Sequence, residues 1–309
     1  MPVVALGDFA KSFGTHAGDI SKECKELIAG KDFNYEIITG VNRDNVILEI
    51  LKKIQADNQI IGARSRQEVW NDGWTENLKN FIKSKYDLNA LVPKFIRQNQ
   101  LVRFNQNYIK PSNPNFELDY FSVFRSWLFN KYFKQVNNVY EFGCGTGFNL
   151  VALAKIFPDK SLYGLDFVRA SCELVNKISE AYQLKLKGCI FDMIDPDKNF
   201  KISAHSAIFT IGSIEQLAGK FENFLLYLLK QSPELCVHVE PTVELYDKNN
   251  LIDYLAIKFQ QKRGYTQNFL PRLKELEKKG KIEILKIKRL FFGSLYMEGY
   301  NLMIWRPIK

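Results

Sequence analysis

From Asn138 onward the chain alternates short apolar runs with longer segments of helical periodicity. Seven runs stand out: NVYEF, SLYGLDF, KGCIFDM, SAIFTIG, LCVHVEP, KIEILKIKRL and YNLMIWRP. Between the earlier ones lie FNLVALAKIF, VRASCELVNKISEAYQL and EQLAGKFENFLLYLLK, with apolar residues at helical spacing. Short apolar strands separated by helices predict a parallel sheet covered on both faces. The last two runs are joined only by RLFFGSLYMEGY, too short for a helical crossover, so they are expected to pair antiparallel at one edge. The pattern predicts an α/β fold: a doubly wound, seven-stranded, mostly parallel sheet with one antiparallel edge strand. The segment QKRGYTQNFLPRLKELEKKG reads as a helical excursion between the fifth and sixth runs, with a solvated charged face.

Residues 1–115 follow a different pattern, mixing helical periodicity with turn-rich pieces. Residues 42–58 place Val46, Ile47, Ile50, Leu51 and Ile54 on one helical face. Ser65 with Glu68 makes a capping box that opens a helix through the Trp70 region. Pro111 and Pro114 in YIKPSNPNF cannot both lie inside a helix and mark a boundary. An amphipathic segment, LDYFSVFRSWLFNKYF, then leads onward. The expected organisation is a mainly helical N-terminal region over 1–115, acting as a substrate cap, and a core domain over 116–309.

The sharpest chemical signal is VYEFGCGTGFN at 139–149. A β-run ends at Glu141–Phe142, glycines follow at 143, 145 and 147, and a helix starts at once. Glycines there let the backbone turn tightly and let a ligand approach without Cβ atoms in the way. A dinucleotide fingerprint needs a third glycine where Phe148 stands, and no G-x-x-x-x-G-K-[ST] is present. Glu141, two residues before the first glycine, suits a ligand carrying an ammonium or sulfonium and is unfavourable beside pyrophosphate. Asp166 ends the second run, where a carboxylate can accept from a ribose diol, and Asp192 ends the third, within reach of an exocyclic adenine amine. Any one of these acids could equally cap a helix. Three at successive strand tips beside the glycine spacing favour a bound nucleoside.

The stretch VYEFGCGTG…GLDF…IFDM…AIFTIGSIEQL resembles the class I S-adenosylmethionine (SAM)-dependent methyltransferases, over residues from about 117 to 309. The resemblance implies S-adenosyl-L-methionine as cofactor, its methionine part held by Glu141, Gly143, Cys144, Gly145 and Gly147. It places Asp166 on the ribose, Phe167 against the adenine, and Asp192 with Met193 at the adenine edge. Thr210, Ile211, Gly212 and Ser213 would line the methyl-transfer side.

Methyl transfer is an in-line displacement whose main demand is to hold acceptor, methyl and sulfur collinear in a water-poor site. A base is needed only for a hydroxyl or protonated amine. His238 and Glu240 are two apart on one run and share a face, so Glu240, at the tip, is the first candidate base and His238 the second. Glu215 follows the fourth run and is a third candidate, or a helix N-terminal acid favoured by the dipole. Trp70 and Trp74 read either as an aromatic wall over the acceptor or as core. Arg64, Arg66 and Arg103 could hold a phosphate or carboxylate of the acceptor, although scattered arginines are more often surface partners.

Composition narrows this further. The net charge of +9 mildly favours a phosphate-bearing acceptor, yet the lysines are interspersed with acids rather than gathered into a tract. Five cysteines spread singly and three histidines argue against a disulfide framework or a metal site, and fit a reducing, cytoplasmic setting. No apolar run is long enough for a bilayer, and the N-terminus does not read as a secretion signal. The expected activity is methylation of an oxygen or nitrogen on a small polar metabolite: a sugar, nucleotide-sugar or secondary metabolite. The alternatives are a nucleic-acid methyltransferase and a non-catalytic SAM-fold binding protein. The first is disfavoured because IGSIEQ follows the fourth run where base-amine methylation calls for a proline-rich motif, and the second by the intact loop and acids.

Overall fold

The structure is a computed structural model that describes residues 1–62 and 64–308, with the side chains of Arg64, Ser65 and Arg66 also outside the described set. The Ser65 capping box and the Arg64 and Arg66 assignments therefore fall outside the described residues.

The N-terminal part contributes α1 (Leu6–Phe13), α2 (Lys22–Ala29), β1 (Tyr35–Ile37), α3 (Gly40–Ala56) and α4 (Arg64–Lys83), then β2 (Val102–Phe104) and β3 (Asn107–Pro111). Helix α5 (Phe116–Tyr132) follows directly after Pro114. The remainder runs β4 (Asn138–Phe142), α6 (Phe148–Ile156), β5 (Ser161–Asp166), α7 (Arg169–Tyr182), β6 (Leu186–Ile190) and β7 (Ser206–Ile211). It continues with α8 (Glu222–Gln231), β8 (Leu235–Glu240), α9 (Leu251–Arg263), α10 (Phe269–Lys278), β9 (Ile282–Lys288), β10 (Phe292–Ser294) and β11 (Asn301–Pro307).

All seven expected runs become strands of one seven-stranded sheet, ordered β6-β5-β4-β7-β8-β11-β9. The first five of these are mutually parallel. The final two runs do pair antiparallel at one edge, and β11 is the reversed strand, inserted between β8 and β9 and antiparallel to both. Successive residues of the central strands alternate between two cores, as period-2 geometry requires. Val139, Phe209, Val237 and Leu302 face one core with α5, α6 and α7, while Tyr140, Phe142, Ile208 and Met303 face the other with α8 and α10.

A second, four-stranded sheet, ordered β1-β3-β2-β10, was not apparent from the sequence. Three of its strands are three residues long, too short to show alternation. Its β10 comes from the linker between β9 and β11, so this sheet joins N-terminal and C-terminal chain. Consequently α5 is not amphipathic in the fold. The N-terminal elements cover its outer side, and twelve of its residues, from Phe116 to Phe129, are buried. Helix α3 buries Val46 and Ile50 as expected, whereas Leu51 is exposed because the contact face is narrower than the apolar stripe. The charged excursion after β8 is two helices, α9 and α10, separated by Gly264 in a left-handed C-cap. Among the described residues no helix is long and apolar enough to cross a membrane.

Candidate active site

The carboxyl ends of β4, β5, β6, β7 and β8 form one rim, and the glycine loop leaves it between β4 and α6. Gly143, Gly145 and Gly147 have φ of 73°, 53° and 72°. That left-handed backbone is strained for residues with a Cβ. A methyl group at Gly143 would collide with the Ser213 Cβ and approach Met193 Cε to 3.5 Å, so three strand tips converge there. Ser213 adds a hydrogen bond from its hydroxyl to the Phe142 carbonyl at 2.9 Å. At Gly145 the same methyl group would sit 3.0 Å from Trp74 Cη2, because the Trp74 indole of α4 roofs the loop. Trp70 stacks on Trp74 with centroids 5.4 Å apart, so the aromatic wall stands over the glycine loop. The Thr146 hydroxyl donates to the Leu91 carbonyl at 2.6 Å and latches the loop to the N-terminal region.

Glu141 is 1 % exposed. Its Oε1 accepts from Asn149 Nδ2 at 2.8 Å, and its Oε2 has no partner in the protein. Burial pushes its carboxyl up to about 8, against the Asn149 hydrogen bond and the nearby Arg125 charge, which lower it. Arg125 donates to the Asn149 Oδ1 and the Phe148 carbonyl, each at 3.2 Å. Asn149 thus receives from arginine and gives to glutamate, which fixes its amide orientation. Asn149 and Arg125 were missed from the sequence; the signal was a lone arginine inside the apolar segment FSVFRSWLF.

Asp166 lies close to Gly145, as the nucleoside reading requires, but its present partners are backbone. Oδ2 accepts from the Gly145 N–H at 3.1 Å and Oδ1 from the Val168 N–H at 3.0 Å. It is 4 % exposed, and burial raises its pKa. Asp192 is exposed, two residues past Ile190, which pairs with Asp166; its Oδ1 accepts from the Ile194 N–H at 2.7 Å. Phe167 is exposed at the rim, and Met193 is buried beside Gly143. The Cys144 thiol is buried, 3.5 Å from the Ser171 hydroxyl.

On the other half of the rim, Gly212 has φ of 62°, and nothing lies within 4 Å of where its Cβ would be. Ile211 beside it is partly buried. The Thr210 hydroxyl is buried, 2.9 Å from His238 Nδ1, and also hydrogen-bonds the Glu240 carboxyl group. His238 is wholly buried between Phe269 and Trp305, and burial pushes its pKa down to about 3. A neutral imidazole sealed in the core has no path to an acceptor. Glu240, 2 % exposed, accepts from the Ser213 N–H at 3.2 Å and the Glu215 N–H at 3.4 Å, capping the turn at Ile214–Leu217. Burial raises it to about 7. Glu215 is 9 % exposed, and its Oε1 accepts from Gln216 Nε2 at 2.8 Å. Arg103 is interior, its guanidinium donating to the Ile252 carbonyl between Tyr108 and Tyr246. Among the described residues no cluster suited to a metal ion exists.

No family model and no curated protein matches this chain. Solved structures do match. The [4+2]-cyclase SpnF shares 10% identity, with a TM-score of 0.50, covering 73% of this chain and 94% of its own. PigF with SAH shares 16% identity at TM-score 0.43, covering 62% of this chain. NcsB1, an O-methyltransferase from neocarzinostatin biosynthesis bound to SAM and 2-hydroxy-5-methyl naphthoic acid, shares 13% at TM-score 0.42, covering 64%. The chain spans 59% of the length of each of these last two. The strand order and the likeness to SpnF establish the fold alone: the seven-stranded, mostly parallel α/β sheet with a reversed strand that the sequence pattern predicts.

Proposed function

We propose that the protein is a SAM-dependent methyltransferase that acts on an oxygen or nitrogen of a small acceptor, covered by its N-terminal region. The observation that carries this reading is Glu141 Oε2, a buried carboxyl oxygen without a partner, beside three left-handed glycines. An unmatched buried acceptor costs about 1–3 kcal/mol unless a ligand supplies a donor. The methionine ammonium of SAM is such a donor, and the exposed Asp192 carboxylate can meet the adenine edge. When bound, the cofactor supplies an electrophilic methyl group on a good leaving group. The protein's own work is to orient, through Glu141 and the loop backbone, and to exclude water, through Trp74 and α4. Five unpaired cysteines support a reducing compartment.

Fold alone does not select the chemistry, and SpnF, named a cyclase, has this fold too. Titration calorimetry with S-adenosylhomocysteine (SAH) tests the cofactor reading. Asp192→Ala should weaken SAH about tenfold without disturbing the fold, since Asp192 serves only its own turn. Asp166→Ala should weaken it too, but it also releases two backbone N–H groups and so mixes binding with stability. Absence of SAH binding to the wild type would sink the proposal.

A further inference from the structure

Glu117 and Tyr300 are 183 positions apart in the chain, yet the Tyr300 hydroxyl donates to Glu117 Oε1 at 3.0 Å. Glu117 stands in the first turn of α5 and is 6 % exposed. Among the described residues its one hydrogen-bond partner is Tyr300, and burial lifts its carboxyl to about 7. Asn301 pairs with Glu240 at the tip of β8, so Tyr300 lies one residue beyond that tip, on the rim that carries Gly212. Glu117, Phe121 and Arg125 recur every four residues and share one face of α5. Along that face Phe121 stacks on Tyr300 at 4.8 Å, and Arg125 lies 4.7 Å from the Phe121 ring and 3.9 Å from Phe148. The stripe thus runs from the β8 tip to the residue that follows the glycine loop.

Among the described residues the carboxyl groups along this stretch include Glu117, Glu141 and Glu240, and Arg125 is already engaged with the Phe148 carbonyl and Asn149. A phosphate would meet carboxylates here, whereas an ammonium would add a donor to the one that Tyr300 gives Glu117.

We propose that Glu117, oriented by Tyr300, binds the methyl acceptor, and that the acceptor is an amine rather than a phosphorylated compound. The overall charge of +9 had pointed the other way, but it describes the surface and not this rim. The assignment rests on the methyl-transfer reading above. In the step, Glu117 Oε2 takes one proton from the acceptor ammonium. The nitrogen lone pair then attacks the methyl carbon as the carbon–sulfur bond breaks, its electron pair staying on sulfur. The products are the methylated ammonium and SAH, with the abstracted proton on Glu117.

The test uses the full chain saturated with SAH and, as probes, tyramine and benzylamine against 4-hydroxyphenylacetate and benzyl phosphate. Calorimetry should show the amines binding at least tenfold more tightly than the acids. Glu117→Gln should bind SAH within twofold of the wild type and lose at least tenfold in amine affinity. Tyr300→Phe removes a hydrogen bond that favours the carboxylate, so the acidic limb of amine binding should move to higher pH. Labelled SAM should transfer methyl to the amines only. Normal SAH binding with no preference for amines, or an unchanged amine affinity in Glu117→Gln, overturns the assignment alone. No SAH binding to the wild type overturns the methyl-transfer reading, and this assignment with it.

Discussion

The two halves of the sheet rim are built by different means. Over β4, β5 and β6 the polar groups come from one contiguous stretch, and the acids bind nearby backbone: Asp166 to Gly145 and Val168, Asp192 to Ile194. Over β7, β8 and β11 Glu240 likewise binds backbone, at Ser213 and Glu215, but here a pair from distant parts of the chain is added: Glu117 meets Tyr300 through side chains alone. The first half is a local turn shaped by glycine; the second exists only once the fold is complete. A binding loop shared by many chemistries can be local, while the part that selects an acceptor is assembled from distant pieces.

Two glycine substitutions break this comparison most forcefully. Gly143→Ala would force a Cβ into left-handed backbone and into Ser213, and should destabilise by about 3–5 kcal/mol. Gly212→Ala carries the same backbone strain but meets open space, and should cost only about 1 kcal/mol. Urea denaturation of both variants checks the difference. Equal losses would mean that the crowding around Gly143 is not real.

The fold and the first half of the rim were legible because their signals are local. Seven apolar runs, three spaced glycines and acids at strand tips need only neighbours in sequence to be read. His238 shows where such reading fails. Period two puts it on the same face as Glu240, but cannot say that Phe269 and Trp305 close over that face. Glu117 and Tyr300 give no local cue; an acid in the first turn of a helix looks like dipole compensation. Strand β10 stayed hidden because three residues in a linker carry no period.

A smaller effect for each residue concerns stability against pH. Burial raises Glu117, Glu141 and Glu240 to about 7, 8 and 7, above their unfolded value near 4.5. A carboxyl raised in the folded state contributes stability that is full below the unfolded value and lost as pH rises through the folded one. The wild type should therefore become less stable between about pH 5 and 8, by about 2–3 kcal/mol for each such group. Glu240→Gln should flatten that slope, whatever its stability at one pH, because it removes one titration. Thermal melts across the range decide it, and an unchanged slope would mean that Glu240 keeps an ordinary pKa.

The mildest effect distinguishes the two halves by function. Glu141 is held near 8 by burial, so at pH 6.5 the free protein carries it protonated, and binding the ligand ammonium requires its ionisation. SAH affinity should then rise about tenfold between pH 6.5 and 8, equal to about 1.4 kcal/mol. Glu141→Gln should lower the affinity at pH 8 and abolish the rise, whereas Glu117→Gln, on the other half, should leave it intact. Calorimetry in buffers of different ionisation enthalpy would also register the released proton. If Glu117→Gln flattens the profile as well, the carboxylates of the two halves titrate as one group, and the division between a cofactor half and an acceptor half fails.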